Sequence, residues 1–370
     1  MRHYARHDFI KLLMENGVSR AECYSKCLDV GITHIAKKCA QMIYERDLSE
    51  LTPIQIHERV DTSSHKVRQI GREGALQQVL DYVAVYSAKE ILQKRIVMHQ
   101  ASSIKGRGQI YGLRIIKKWI HNDNCYAEHC ARHHYHCSPK TKYFVKLDAE
   151  KCYPNMRYQF FMKHFRRDCA NDDLVWLWEE LLKSHQVGDY KGFMIGALIS
   201  QWSVQYCFSF AYRFAMSIRN KRVPEKTAIS HMLIYMDDML LFGSNRRELL
   251  SAVKEIIAYM KSEFGISIKD SYSIIKFDEN NPVDMLGYTF HRSSKISLRE
   301  RNFIRIRRMI RKYNITLRID VNSARRFVSY GGMFKYSNTI RLERVYHHKD
   351  IFNQSRKEIS LSSNIERRAA

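Results

Sequence analysis

Residues 231–243 read His231-Met232-Leu233-Ile234-Tyr235-Met236-Asp237-Asp238-Met239-Leu240-Leu241-Phe242-Gly243. Two adjacent carboxylates interrupt an otherwise apolar run. Burying ionised groups there is costly unless something compensates, and a divalent cation is the usual compensator. The flanks, His231 to Leu233 and Met239 to Gly243, predict two strands of a hairpin with the acids at its tip. A tip that offers carboxylates to a hard cation such as Mg²⁺ suits the movement of phosphoryl groups.

A second acidic strand end stands upstream. Phe144-Val145-Lys146-Leu147-Asp148 reads as a strand, followed by Ala149-Glu150-Lys151-Cys152-Tyr153-Pro154. A two-metal site needs carboxylates from different strands to hold cations roughly 3.5–4 Å apart. Asp148, Asp237 and Asp238 are the catalytic and metal-ligating candidates, and a polymerase is the first hypothesis. One cation would activate an attacking 3′-hydroxyl and the other would steady the leaving pyrophosphate.

Composition agrees with such a partner. The chain has 370 residues and a formal charge of +24, from 62 Lys+Arg against 38 Asp+Glu. An excess that large calls for a polyanion, by default nucleic acid. Hydrophobic residues make up 45% and aromatics 12%, as in a globular chain. No apolar run is long enough for a membrane span, and residues 1–7 lack the apolar core of a signal peptide. Nine cysteines at irregular spacing fit a reducing, cytoplasmic setting.

Elsewhere the pattern is mainly helical. Residues 8 to about 60 predict short helices, with Phe9, Ile10, Leu12 and Leu13 at helical spacing. Residues 64–100 continue the pattern through Val67, Ile70, Leu76, Val79, Leu80, Val83 and Ile91. Ser102 to Gly112 reads as a Gly/basic loop and Leu113 to Ile120 as a helix. Helices are predicted near Tyr158–Phe165, Leu174–Lys183, Ser200–Ile218 and Arg247–Phe264. Further strands are predicted near Ile266–Ile268, Ser273–Phe277 and Met285–Phe290. The order suits an α+β fold with a two-layer, ferredoxin-like sheet. From Arg292 to Tyr313 a helix would set Arg301, Arg305, Arg308 and Lys312 on one face and Phe303, Ile306, Ile310 and Tyr313 on the other, a form suited to tracking phosphates.

These motifs together resemble the reverse transcriptases over about residues 64–340. Phe144–Asp148 with Tyr153 is similar to that family's first palm motif, and Tyr235–Asp238 to its Tyr-x-Asp-Asp box. The resemblance implies a right-hand polymerase: an N-terminal helical extension (1–63), helical/β fingers (64–143), a ferredoxin-like palm (144–290, with part of the fingers at 158–200) and a helical basic thumb with tail (291–370). It implies two Mg²⁺ ions, replaceable by Mn²⁺, at Asp148, Ala149, Asp237 and Asp238. Tyr153 takes the position of the aromatic gate that selects deoxynucleotides by clashing with a 2′-hydroxyl.

Finer motifs point to a subgroup. Ile195-Gly196 and Ser200-Gln201 stand where most of the family carries Gln-Gly and Ser-Pro, and they resemble the enzymes of diversity-generating retroelements. Those enzymes copy a template repeat into mutagenised cDNA, with errors mainly opposite adenines. By that resemblance Ile195 and Gln201 contact the nascent base pair; Gly196 permits close approach and Ser200 caps the helix. Ile266-Ser267-Ile268-Lys269 matches the next motif, where a Lys protonates the leaving pyrophosphate, although Tyr272 stands at the usual position of that Lys. Met285-Leu286-Gly287-Tyr288 resembles the primer-grip turn, and Ser329–Tyr336 the subgroup's thumb segment. Arg107 and Arg114 fall where basic residues should hold the triphosphate.

The implied partners are template RNA, cDNA, dNTPs and an accessory basic protein, with no membrane. Residues after the thumb are expected to hold no RNase H domain. Cys125, Cys130 and Cys137, set among His129, His133, His134 and His136, have spacings unlike a standard zinc finger, and no structural zinc is expected there. Two other readings stand beside the first: a phage-defence or retron-like reverse transcriptase that makes effector cDNA, and an RNA-binding protein without catalysis.

Overall fold

The computed structural model describes Met14 and residues 28–60, 67–316, 319–338, 344–345 and 348–369. Phe9, Ile10, Leu12 and Leu13 lie outside the described residues. Helix α1 (Leu28–Tyr44) precedes an antiparallel hairpin of β1 (Gln55–Val60) and β2 (Val67–Arg72), in which Gln55 pairs with Arg72 and Val60 with Val67. Helices α2 (Ala75–Ser87), α3 (Lys89–Arg95) and the long α4 (Gln109–Arg132) follow. Next come β3 (Tyr143–Asp148), the short α5 (Cys152–Asn155), α6 (Tyr158–Asp168), α7 (Asp172–Lys183) and α8 (Leu198–Ser217). The acid hairpin is β4 (His231–Tyr235) and β5 (Asp238–Gly243), followed by α9 (Arg246–Phe264) and β6 (Ile275–Lys276). A small antiparallel sheet of β7 (Val283–Met285), β8 (Tyr288–Phe290) and β9 (Ile296–Leu298) leads to α10 (Glu300–Thr316), α11 (Val321–Phe334) and α12 (His348–Ala369).

The central sheet has the order β4-β5-β3-β6, with every pair antiparallel. Alternate residues of its strands enter two separate cores, because successive side chains point to opposite faces. Val145, Leu147, Met232, Ile234, Met239 and Leu241 pack with α6 to α9, while Phe144, Leu233, Leu240 and Phe242 pack against α4 and the small sheet. A sheet covered on both faces has no polar side to show, which is why the hairpin reads as an unbroken apolar run. The expected two-layer arrangement therefore gains a third layer, while the α+β class holds.

Local chemistry sets the ends of the helices. Asn245 caps α9 by accepting from the N–H groups of Arg247 and Glu248, and Gly265 ends it with φ 67°. Asn171 caps α7, accepting from Leu174 N at 2.8 Å. Trp178 stands at the centre of the larger core, its ring 5.0 Å from those of both Phe161 and Phe165, and its Nε1 donates to Ala84 O at 3.2 Å. That one side chain joins α2, α6 and α7. Trp178→Ala is expected to cost about 3–5 kcal/mol of stability, measurable by denaturant unfolding; a loss under 1 kcal/mol would mean the cluster collapses around the gap.

Several predicted elements differ. Residues 67–72 are a strand and not helix, and β1 likewise replaces helix, so the expected boundary at 63/64 falls between two paired strands. Val60 and Val67 are exposed, and each strand satisfies its backbone with the other instead of burying a face. The loop read over 102–112 gives way to helix at Gln109, and α4 runs to Arg132 through the His/Cys-rich stretch. Residues 266–268 make a single bridge, Ile268 to Ala149, and 273–277 shrinks to the two-residue β6. Met285–Phe290 is not one strand but a turn at Leu286-Gly287 (φ 57° and 78°) between β7 and β8. On α10, Ile306 and Ile310 are buried while Arg301, Arg308 and Lys312 are exposed, and Arg305 donates to Tyr330 Oη at 3.2 Å. Among the described residues no helix is long and apolar enough to cross a membrane.

Candidate active site

Strands β3 and β5 pair so that Asp148 lies opposite Asp238, and Tyr235 faces Asp238 across the hairpin. The turn Met236-Asp237 carries the remaining acid at the tip. Met236 adopts φ 57°, a left-handed conformation that costs a residue with a side chain roughly 1 kcal/mol. Its N–H donates to Ser102 Oγ at 2.7 Å, and Ser102 Oγ also accepts from Gln205 Nε2 at 3.0 Å. Residues 99–101 run beside β4, with Ile234 N donating to His99 O and Ala101 N to Ile234 O, both at 2.9 Å. The segment just before the Gly/basic loop is thus a brace for the acid turn.

Three stretches of backbone converge there. Ala149 N donates to Asp237 O at 3.3 Å, and Lys269 N to Asp148 O at 3.0 Å. Burial pushes the Asp237 carboxyl above its ordinary range, with Asp148 adding to the effect and Arg68 and Lys269 opposing it. Burial raises Asp238 as well, against the nearby Lys146 and Arg299. The Lys269 ammonium forms an ion pair with the Asp148 carboxylate.

Asp148, Asp237 and Asp238, with the Ala149 backbone beside them, offer only oxygen donors, a set that fits a hard divalent cation such as Mg²⁺. Among the described residues no three His, Cys, Asp or Glu side chains close into a ligand cage. The acids are neighbours, and Lys269 neutralises the one it touches.

Lys151, at φ 43°, turns the chain after β3 into the short α5, which carries Tyr153 within reach of the Asp237 field. Tyr153 is half-buried, and its hydroxyl is pushed well above the usual range by burial, with Cys152 and Asp237 contributing. Phe193 N donates to Tyr153 O at 2.8 Å. Beside it, a Cβ on Gly192 would fall on the carbonyls of Tyr153 and Pro154. Those are main-chain atoms with no freedom to swing aside. Gly192→Ala is therefore expected to shift Tyr153 and cost about 1–3 kcal/mol; an unchanged melting temperature with unchanged sugar selection would remove Gly192 from this support.

Ile195 is half-buried, and its carbonyl accepts from Gly71 N of β2 at 3.2 Å. Gly196 has φ 109° and lines a cleft of about 300 Å³ together with Gln201, Glu73, Gln78, Asp81 and Tyr82. The expected capping role of Ser200 is not seen. Ser200 lies inside the first turn of α8, buried, with Oγ 3.2 Å from His185 Nδ1. The side chain at that helix start is Asp81, whose Oδ2 accepts from Ile199 N at 3.2 Å.

A sequence model of the family "Reverse transcriptase (RNA-dependent DNA polymerase)" matches residues 87–290, from the end of α2 to the end of β8. The chain belongs to the reverse transcriptase family. No curated protein matches the chain. Similar solved structures include telomerase from Candida albicans in complex with a TWJ fragment of telomeric RNA, at TM-score 0.44 and 12% identity over 68% of this chain and 46% of that one. Apo telomerase from Candida tropicalis has TM-score 0.42 and 12% identity over 71% of this chain and 53% of its own. The chain spans about half the length of these telomerase chains.

The two residues expected at the triphosphate each make a contact within the chain. Arg107 Nη1 donates to Val97 O at 2.6 Å, and its guanidinium lies 5.8 Å over the Tyr111 ring. Arg114 lies over Tyr336, 5.9 Å from the ring centroid, against the segment after α11. Beside Lys269, a second cation whose field reaches Asp237 is Arg68 of β2, which lies in a stretch expected to be helical and was not among the candidate residues. Gln109, also unremarked in the sequence, donates to Leu286 O and so props the turn likened to a primer grip. The three cysteines do not act as a set: Cys125 is exposed on α4, whereas Cys130 is buried and interacts with Cys137.

A buried polar knot also escaped the sequence reading. Glu73, Gln77, Asp81 and His185 are all at most 2% exposed. Burial and the neighbouring Glu73 push the Asp81 carboxyl well above its ordinary range, against the N–H groups of Ile199 and Leu198 at the helix start.

Proposed function

We propose that this protein copies template RNA into cDNA from dNTPs, as the error-prone enzyme of a diversity-generating retroelement. The observation that carries the polymerase reading is the register of the palm sheet, which sets Asp148 opposite Asp238 with Asp237 at the adjoining tip. In this reading Asp148, Asp237, Asp238 and the Ala149 carbonyl would hold two Mg²⁺ ions, whose chemistry when bound would be to activate a 3′-hydroxyl and stabilise pyrophosphate. Tyr153 bounds the sugar. Lys269, released from Asp148, supplies a proton to the leaving group. Arg68 on the fingers hairpin faces the triphosphate as well. The basic face of α10 follows the duplex.

The error-prone assignment rests on Ile195 and Gln201. An apolar side chain at position 195 gives the nascent base pair no polar support, and a pair checked less closely is copied less faithfully. The structured template and an accessory basic protein are the partners of this reading. Copying a primed RNA template and sequencing the cDNA tests it. Errors should concentrate opposite template adenines; an even error rate across the four bases would remove the diversity-generating role and leave a reverse transcriptase of another purpose.

A further inference from the structure

Away from the acids, a groove of about 750 Å³ runs between α4 and the segment following α11, with the β8–β9 turn along one side. Its cations come from three parts of the chain: Arg114 and Lys117 on α4, Lys295 on the turn, and Lys335 after α11. All four side chains are exposed, and among the described residues no carboxylate lines the groove. Among the described residues none of the four joins an ion pair. The Tyr336 ring lies between two of them, 5.9 Å from Arg114 and 5.9 Å from Lys335.

Four like charges around one concavity repel, and among the described residues no ion pair offsets them. A polyanion does so by exchanging its counterions for the fixed cations. Ser294 and Asn338 add polar groups that can donate to phosphate and ribose oxygens, while Ser293 donates to Glu279 Oε2 at 3.5 Å and Ser337 to Met333 O at 3.1 Å.

The groove is also set back from the acid site. Gln109 touches the Leu286-Gly287 turn, and Arg114 and Lys117 lie five and eight residues further along α4, about 8 and 12 Å by helix rise. Lys295 stands in the turn at the opposite end of β8 from Gly287. A strand held here is displaced from the strand being extended.

We propose that this groove binds the phosphodiester backbone of a folded RNA region outside the copied stretch, and so tethers the template to the polymerase. The choice of RNA over other polyanions rests on the RNA-copying reading; the charge geometry does not.

The experiment uses the full chain and the variant Lys117→Glu/Lys295→Glu, both changes at exposed positions. The probe is an RNA hairpin with no annealed primer, titrated by filter binding over a range of salt. Affinity should fall at least tenfold, and the log–log salt slope should become shallower by about two, one for each lost phosphate contact. Primer extension on a template too short to reach the groove should proceed at the wild-type rate. Unchanged affinity and slope would overturn the proposal. So would a parallel loss on the short template, which would make the groove part of the duplex track. Loss of binding to phosphatidylserine vesicles with hairpin binding retained would overturn it in favour of a lipid surface. If the wild-type chain extends no primer at all, the copying reading fails, yet the hairpin titration still decides the groove.

Discussion

Asp237→Asn should reduce Mg²⁺-dependent dNTP incorporation by about 10³-fold or more, the scale on which preorganised charge at a reacting centre acts. The substitution keeps the shape of the side chain and removes only its charge. Asp237 stands in the hairpin turn, its carbonyl accepts from Ala149 N, and Asp148 raises its carboxyl from close by. The same variant should be at least as stable as the wild type in metal-free buffer. Because the folded carboxyl is held above its unfolded value, its contribution to stability is fully present below the unfolded value and is lost as pH rises through the folded one. At neutral pH the buried charge therefore costs stability, and the amide removes that cost. Mg²⁺ should then raise the melting temperature of the wild type more than that of the variant. Unaffected cDNA yield would refute the two-metal assignment. A lower melting temperature would instead assign the loss to folding.

Tyr153→Ala should admit ribonucleotides, improving their kcat/KM relative to deoxynucleotides by about 10²-fold, the scale for relieving a clash of one small group in a pocket. Two hydrogen-bonded segments fix the ring's backbone, the α5 turn after Lys151 and the contact from Phe193. The side chain itself is half-buried near Asp237, so removing it opens space beside the acids without emptying the main core. Val in its place should give an intermediate ratio. Unchanged sugar selection in both variants would refute the gate.

The acid hairpin and β3 were legible because their chemistry is discordant: charges stand at the ends of runs that are apolar on both faces. Helices α6 to α9 were legible from their spacing. The β1–β2 hairpin was not, because its strands bury almost nothing and so carry no period-two alternation, while Val67 and Ile70 happen to fall three residues apart, a helical interval. Arg68 was lost with that hairpin. Helix α4 was cut short because its second half turns polar, His- and Cys-rich surface to solvent, which resembles a loop in composition. Gly192, Ser102 and Asp81 are single residues whose importance comes from a neighbour far away in sequence. No local pattern marks them.

Gly71 gives the fingers hairpin a fulcrum. Its N–H is tied to Ile195 O, and a side chain at position 71 would collide with Met194. Arg68, whose field reaches Asp237, sits three residues outward on the same lever arm. If Arg68 holds the triphosphate and Ile195 meets the base pair, as proposed, the two contacts share one pivot, and a substitution that loosens the strand at Gly71 is expected to alter rate and fidelity together.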